Sequence, residues 1–291
     1  MFALQTQKHT HMKINKTIGI IALGLVSGAS ALQATTIYGL TSSNGLIQFD
    51  SATPGTVSTI GTISQPGIVD IDFFPVNGQL YGITSNGNTY SLNLATGAAT
   101  FLFAPLTALA NITDLDFNPT ADRMRLFGDT DQNYRMVPNA TTAPSAAGTA
   151  GTVLVDGTFS NAAFQLVSSA YTNNFDGAPS TALFSIDTTT DSLVAHTAGP
   201  QFNTVTAVGG GLGTAVGTNV GFDVDASGIA FFSSDNSLFT VDLTTGLATA
   251  AGTVGGSGLV SIAAQVVPEP TSALLGLTGL ALIAARRRRV A

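Results

Sequence analysis

Short segments in which hydrophobic and polar residues alternate recur along the middle of the chain. Residues 36–50, 79–97 and 228–246 align with one another, and residues 182–194 form a shorter copy. In each copy the alternating segments are separated by turns rich in Asn, Asp, Ser, Thr and Gly. Alternation with a period of two buries one face of a strand, and closely spaced turns join such strands into antiparallel sheets. The pattern therefore predicts an all-β domain built from repeats.

A leading strand is predicted ahead of the repeats. Three of these strands carry an aspartate at the same position, namely Asp72, Asp116 and Asp223. The first two aspartates are 44 residues apart, and the third follows after 107 residues, which is about two repeats. The leading strand missing from this series is found at residues 165–171. A period in the forties to low fifties, with about four strands per repeat, is typical of a β-propeller.

The two ends of the repeat region complete each other. Residues 259–265 resemble a leading strand with no repeat after it, and residues 36–61 resemble a repeat with no leading strand before it. Pairing these two segments completes one blade and removes the open edges of the array. We therefore predict a five-bladed propeller over residues 35–266. Six blades or a distorted propeller are the alternatives, because residues 114–155 are longer than one repeat needs.

The charge of this domain excludes one class of partner. Charged residues make up only 9% of the chain, and between Thr35 and Val267 there are sixteen Asp, no Glu and three Arg, a net charge of −13. Such a surface repels phosphate backbones, so we expect no binding of nucleic acid. The chain has no cysteine, which excludes disulfides and thiolate metal sites.

The N-terminal 34 residues are predicted to be a signal peptide. Lys13 and Lys16 precede the apolar run 18–26, and small residues follow. Ala29-Ser-Ala31 matches an A-x-A cleavage site, with cleavage after Ala34 as a second possibility. The first eleven residues are interpreted as an upstream extension, because Met12 begins a cleaner signal. We therefore expect the protein to be exported.

The C-terminal residues 267–291 have three elements in a fixed order. These are a Pro-Glu-Pro motif, a short apolar stretch and a basic cluster, formed in turn by Val267, Pro268, Glu269 and Pro270, by residues 271–285, and by Arg286, Arg287, Arg288 and Arg289. As a helix, the fourteen residues 272–285 would be about 21 Å long, which is shorter than the hydrocarbon core of about 30 Å. The expectation is a short transmembrane helix that anchors weakly, with the arginines cytoplasmic.

This tail resembles the PEP-CTERM sorting signal. The resemblance implies an exosortase-type membrane peptidase as partner and a transient anchor in the inner membrane until processing. It further implies delivery to the cell surface or the extracellular space. The signal is associated with Gram-negative bacteria that make exopolysaccharide and biofilm matrix.

The body also carries a set of spaced polar motifs. In chain order they are Asp116-Phe-Asn-Pro119, Asp122-Arg-Met-Arg125, Asp129-Thr-Asp-Gln-Asn-Tyr-Arg135, Val155-Asp-Gly157 and Ala170-Tyr-Thr-Asn-Asn174. They resemble domain-of-unknown-function family 4394 over residues 37–264. The family implies no activity, and the Gly-rich stretch 200–217 departs from its usual form.

The candidate binding residues lie in the densest polar segment: Arg123, Arg125, Asp129, Asp131 and Arg135. They are interpreted either as structural ion pairs or as a site for acidic sugars held by bidentate arginines. Asp129-x-Asp131-x-Asn133 opens like a calcium loop, but position six is Tyr134 and position twelve is Ala140 instead of Gly and Glu. An EF-hand is therefore excluded, which leaves another type of Ca²⁺ loop or a polar turn. No other cofactor is predicted.

No catalytic residue is predicted. The repeated position of Asp72, Asp116 and Asp223 favours a recurring structural role over a specialised one, and His196 is expected at the surface. We expect a non-enzymatic binding or structural module of the extracellular matrix, with polysaccharide as a candidate ligand. The alternatives are an extracellular enzyme that acts on glycan through Asp carboxylates and a self-associating adhesion module. Convergence of the arginines with aspartates in the axial funnel would favour a site.

Overall fold

The protein is an all-β ring of five four-stranded sheets. The computed structural model describes residues 34–138, 148–197, 199–256 and 258–265. In these ranges the chain forms twenty strands, and each sheet is antiparallel with its strands in meander order. The prediction of a five-bladed β-propeller is confirmed, and the six-bladed alternative is wrong.

The strands are numbered in chain order. Blade 1 contains β1 (Thr36–Thr41), β2 (Gly45–Asp50), β3 (Val57–Thr62) and the last strand, β20 (Leu259–Ala264). Blade 2 contains β4 (Ile68–Phe74), β5 (Gln79–Thr84), β6 (Thr89–Leu92) and β7 (Ala99–Phe103). Blade 3 contains β8 (Ile112–Asn118), β9 (Arg123–Gly128), β10 (Asn133–Met136) and β11 (Val153–Gly157). Blade 4 contains β12 (Leu166–Tyr171), β13 (Leu183–Asp187), β14 (Ser192–His196) and β15 (Val205–Ala207). Blade 5 contains β16 (Val220–Val224), β17 (Ala230–Ser234), β18 (Ser237–Val241) and β19 (Ala248–Thr253).

The ring closes between the first and last strands, as the sequence predicts. β20 pairs antiparallel with β1, with Gly39 opposite Ile262. The pairing continues past the strand, because the Gln265 N–H donates to the Thr36 carbonyl at 2.8 Å. Blade 1 is therefore assembled from both ends of the domain, which leaves no blade without its inner strand.

The hydrophobic core lies between the blades. Five clusters of buried apolar side chains occupy the five interfaces between neighbouring blades. Between blades 2 and 3, for example, the rings of Phe74 and Phe117 stack with centroids 4.5 Å apart. The inner strands β4, β8, β12, β16 and β20 are buried along nearly their whole length, because each has a neighbouring blade on both faces. The outermost strands are more open to solvent, and none of the six residues of β3 is fully buried.

Several sequence expectations lie outside the described residues. They include the signal peptide up to residue 33, the Pro-Glu-Pro motif, the short C-terminal helix and the arginine cluster. In the part of the chain that the structure describes, no helix is long and apolar enough to span a bilayer. The three-part domain division therefore stays a prediction.

Candidate axial site

The five inner strands place residues at the propeller axis at two successive levels. The first level consists of Asp70, Asp114, Ser168, Gly221 and Ser261. The second level, two residues further along each strand, consists of Asp72, Asp116, Ala170, Asp223 and Ala263. Adjacent members of a level come from adjacent blades, so both levels run around the axis.

At the first level, side chains join neighbouring blades through backbone amides. The Leu115 N–H donates to Asp70 Oδ2 at 2.5 Å, and the Phe222 N–H donates to Ser168 Oγ at 3.0 Å. Asp114 accepts from both the backbone N–H and the hydroxyl of Ser169. Each contact runs from one inner strand to the next, so the hydrogen bonds of this level connect neighbouring blades.

The second level uses the same contact at three of its five positions. Asp72 accepts from Phe73 N–H at 2.6 Å and from Phe117 N–H of the next blade at 3.0 Å. Asp223 likewise accepts from Val224 N–H and Ala264 N–H, both at 2.6 Å. Each of these two carboxylates therefore has a donor for each oxygen.

Asp116 is the exception at this level. Its Oδ1 accepts one long hydrogen bond, 3.3 Å from Tyr171 N–H, and its Oδ2 has no donor among the described residues. The cause is the order of the blades. Asp72 and Asp223 each accept from the amide of the next residue in the chain. For Asp116 that amide is the Phe117 N–H, which already donates to Asp72 of the preceding blade.

The three second-level aspartates converge on one point. One oxygen from each of Asp72, Asp116 and Asp223 lies within 4.8 Å of the other two, and each residue is 2% exposed. Burial raises the pKa of Asp72 and of Asp116 well above the ordinary value, and repulsion from the neighbouring carboxylates adds to the effect. Burial also raises the pKa of Asp223 to about 7. These residues are aligned in the sequence repeats, but the repeats alone did not predict their convergence.

A pocket opens at one end of the axis, beside the first level. Its volume is about 540 Å³, and residues just before the first-level positions line it. The wall contains hydroxyl and amide side chains together with apolar ones: Thr41, Ser42, Asn44, Thr113, Gln165, Thr218 and Asn219, with Ile68, Val69, Leu166, Val167, Val220 and Val260. Asp129 is the single ionisable side chain in this lining.

The side-chain amide of Asn44, a residue of the pocket wall, has a defined orientation. Its Nδ2 donates to the carbonyls of Ile63 at 2.9 Å and Gln65 at 3.0 Å, which sets the direction of the amide. Its Oδ1 is buried and has no hydrogen-bond partner within the described part of the chain. A buried acceptor without a donor is costly, and because this atom has no accessible surface it is not available to a ligand in the pocket.

The predicted arginine site is not part of this axial arrangement. Arg125 lies on β9 with no exposed surface, and its Nη1 pairs with Asp156 Oδ2 at 2.7 Å. Arg135, on β10, binds the same carboxylate through two hydrogen bonds of 2.7 Å. These two arginines therefore form an ion-pair network with Asp156 that joins the second, third and fourth strands of blade 3.

The other three candidate residues are dispersed. Arg123 is partly buried on the same strand as Arg125. Asp131 lies in the turn between β9 and β10 with a φ of 61°, and Asp129 is exposed in the same turn. Of the five candidates, only Asp129 lines the axial pocket. Such dispersal favours structural ion pairing over a shared anion site.

His196 differs from its expected surface position. It is 6% exposed, and its ring stacks on Phe127 with centroids 5.5 Å apart. Nδ1 lies 2.7 Å from the Phe202 carbonyl and Nε2 lies 2.8 Å from Ser185 Oγ, so the neutral ring donates through Nδ1 and accepts through Nε2. Burial lowers its pKa from 6.5 to about 4. The prediction failed because blade 4 packs against blade 3 on this side of β14.

We expect this histidine to make the protein less stable in acid. Below a pH of about 6.5 the His196 ring is protonated in the unfolded chain, whereas in the folded chain it stays neutral until about pH 4. The free energy of unfolding therefore decreases as the pH falls through this range. Between pH 8 and pH 5 the loss should be about 2 kcal/mol. Denaturant melts of wild type and His196→Gln, each across this pH range with chelator present, measure it as a difference.

The comparison of the two proteins is necessary because the axial carboxylates act in the opposite direction. Their raised pKa values, about 6 for Asp114 and about 7 for Asp223, add stability as the pH falls. The groups that face His196 are the Arg125 guanidinium, which also lowers its pKa, the Ser185 hydroxyl and the Phe202 carbonyl. Parallel pH profiles of the two proteins would show that His196 contributes nothing to the pH dependence.

A closed ring of five four-stranded blades with a polar pocket on its axis makes the protein a five-bladed β-propeller. The chain belongs to the family described as Domain of unknown function (DUF4394), whose model matches residues 45–263. No curated protein matches the sequence.

Solved structures show distant likenesses. The chain is 10% identical to a chain of a nidogen/laminin complex, with a TM-score of 0.48 over 80% of this chain and 98% of that one. It is 14% identical to XC5397, a gluconolactonase from Xanthomonas campestris, with a TM-score of 0.46 over 77% and 78% of the two chains. An auxiliary nutrient binding protein from Bacteroides thetaiotaomicron is 12% identical, with a TM-score of 0.42 over 78% of this chain and 60% of that one. These likenesses assign no activity to this chain.

Proposed function

We propose that this protein is exported to the cell surface or extracellular matrix, where its propeller is a non-enzymatic binding module for polysaccharide. The axial pocket carries the proposal. Its volume of about 540 Å³ lies in the range of small-ligand pockets, about 300–1,000 Å³, and could hold a short glycan segment. Its hydroxyl and amide lining suits a ligand rich in hydroxyl groups.

Electrostatics favour a neutral glycan over an acidic one. Asp129 is the ionisable group in the pocket lining, and the domain carries sixteen Asp against three Arg. Arg125 and Arg135, the two arginines suited to hold a carboxylate, already bind Asp156. A polyanion would therefore meet repulsion at the pocket without a compensating guanidinium.

Delivery outside the cell rests on the two ends of the chain. The predicted signal peptide and the tail from Val267 to Arg289 support export, a transient anchor in the inner membrane and processing by an exosortase-type peptidase. Substituting Pro268, Glu269 and Pro270 with Ala should retain the protein in the inner-membrane fraction. A variant that reaches the surface like the wild type would remove this support.

A glycan-acting enzyme is the second candidate, because the axial carboxylates have raised pKa values, as the general acid of a glycosidase does. Their burial argues against it. A catalytic carboxyl must contact the glycosidic oxygen, whereas Asp72, Asp116 and Asp223 are each 2% exposed and lie one level below the pocket wall. The binding experiment therefore includes a measure of cleavage.

The test is retention of the purified full-length chain on immobilised neutral and acidic polysaccharides, with release of reducing ends assayed in parallel. We expect retention on a neutral polysaccharide without new reducing ends. Asn219→Ala and Gln165→Ala, in the pocket wall, should each weaken retention about tenfold, since one hydrogen bond is worth about 1.4 kcal/mol. Gln79→Ala, an exposed glutamine at the start of β5, is the matched control. Equal retention of all variants would refute the pocket as the site, and steady release of reducing ends would favour the enzyme.

A further inference from the structure

We propose that the second level of the axis is a Ca²⁺ site whose ligands are carboxylate oxygens of Asp72, Asp116 and Asp223. This site is separate from the glycan pocket, and neither proposal needs the other. Three observations support it: the convergence of the oxygens, an oxygen of Asp116 that accepts no hydrogen bond from the described residues, and the lack of a neighbouring positive side chain.

The convergence comes from the ring. The three aspartates lie on three different inner strands, β4, β8 and β16, yet one oxygen of each is within 4.8 Å of the others. Two oxygens bound to one ion can be no farther apart than twice the metal–oxygen distance. That limit is about 4.6–5.2 Å for Ca²⁺ and about 4.0–4.2 Å for Mg²⁺. A set of oxygens within 4.8 Å is compatible with the Ca²⁺ limit, and Ca²⁺ also tolerates irregular oxygen geometry, whereas Mg²⁺ demands near-ideal octahedral geometry.

The unpartnered oxygen is Asp116 Oδ2. Asp72 and Asp223 each have a backbone donor for both oxygens, whereas Asp116 has one long bond through Oδ1 and none through Oδ2 in the described chain. The residue is 98% buried, so water cannot satisfy that oxygen freely. This deficit follows from the order of the blades and is independent of the acidity of the cluster.

No basic side chain balances the cluster. The described basic side chains of the domain are Arg123, Arg125, Arg135 and His196, and none of them contributes to the shifted pKa of the three carboxyls. Arg125 and Arg135 bind Asp156, and His196 is neutral between blades 3 and 4. Adjacent buried carboxylates need either protons or a cation to balance their charge. Oxygen-only ligands are those of a hard cation such as Ca²⁺.

The test is calorimetric titration of the full chain, freed of metal with a chelator, with CaCl₂ and separately with MgCl₂ at pH 7.5. We expect one Ca²⁺ per chain and weaker binding of Mg²⁺. A Ca²⁺ concentration a hundredfold above Kd should stabilise the fold by about 2.7 kcal/mol in a denaturant melt. Absence of Ca²⁺ binding would overturn the proposal and leave shared protons as the balancing charge.

Matched variants locate the site. Asp116→Asn keeps the shape and the Tyr171 contact but removes one charge, so it should lower Ca²⁺ affinity at least tenfold while leaving the metal-free fold at least as stable. Asp129→Asn, in the Asp129-x-Asp131-x-Asn133 turn, should bind Ca²⁺ like the wild type. The reverse pattern would place the ion in that turn and contradict the axial site. Asp223→Asn provides the same comparison if Asp116→Asn does not fold.

Discussion

Arg125→Met is expected to reduce the free energy of unfolding by about 3–5 kcal/mol. The Arg125 side chain has no exposed surface, and its guanidinium donates to groups from two blades: Asn133 Oδ1 at 2.5 Å, Asp156 Oδ2 at 2.7 Å, Tyr171 Oη at 3.1 Å, and the carbonyls of Pro200 at 2.9 Å and Gln201 at 3.2 Å. Methionine fills similar space but donates no hydrogen bond. Several buried acceptors would lose their donor, and the connection between blades 3 and 4 would be lost with them.

Arg123→Met is the matched control for this measurement. Arg123 precedes Arg125 by two residues on β9 and is partly exposed, so the same change there should cost less than about 1 kcal/mol. Chemical denaturation of both variants at pH 7.5 gives the two values. Equal losses would show that the buried network contributes no more than the partly buried Arg123.

Gly221→Ala is expected to destabilise the ring by about 3 kcal/mol or more, the upper end for overpacking. Gly221 occupies the first axial level in blade 5, where β16 crosses closest to β20. An added Cβ would lie 2.7 Å from the Ser261 carbonyl carbon and in contact with the Ile262 backbone nitrogen. Because both neighbours are backbone, no side-chain rotation relieves the clash. The blade interface that closes the ring would have to open.

Gly210→Ala controls for the general effect of adding a methyl group at a glycine. An added Cβ at Gly210 meets nothing within 4 Å, so its free energy of unfolding should stay within about 0.5 kcal/mol of the wild type. Melts of both variants in denaturant test the pair. A Gly221→Ala protein as stable as Gly210→Ala would show that blades 5 and 1 are not in tight contact at the axis.

The number and order of the blades could be predicted from the sequence alone. Hydrophobic alternation has a period of two wherever one face of a strand is buried, and turn residues mark each strand end, so each blade has a local pattern. Ring closure followed because residues 259–265 and 36–61 are complementary fragments of one repeat. The family motifs were also recognisable in the sequence, and residues 45–263 match the family model.

The two axial levels could be predicted in part from the sequence. The spacing of Asp70 and Asp72, and of Asp114 and Asp116, repeats within the inner strands and marks residues on one face. In a closed ring, equivalent positions of the inner strands must face the same axis. That step would have placed Asp72, Asp116 and Asp223 together, and it would have added Asp70 and Asp114, which the sequence analysis left out. The pocket residues had no comparable signal, because hydroxyls and amides are common in turns.

Sequence alone determined the all-β class, the repeat that forms each blade and the closure of the ring. Each of these depends on residues within about one blade of one another or on complementary fragments of one repeat. Tertiary structure alone decided which polar groups are buried. Asp116 Oδ2 lacks a donor because Asp72 of the preceding blade accepts from the Phe117 N–H. Arg125 is buried because the carbonyls of residues 200 and 201 cover it, and His196 is neutral because Phe127 and Phe159 pack against it. These environments are formed between segments tens of residues apart, and the free energy of a buried polar group depends on those partners and not on its own sequence context.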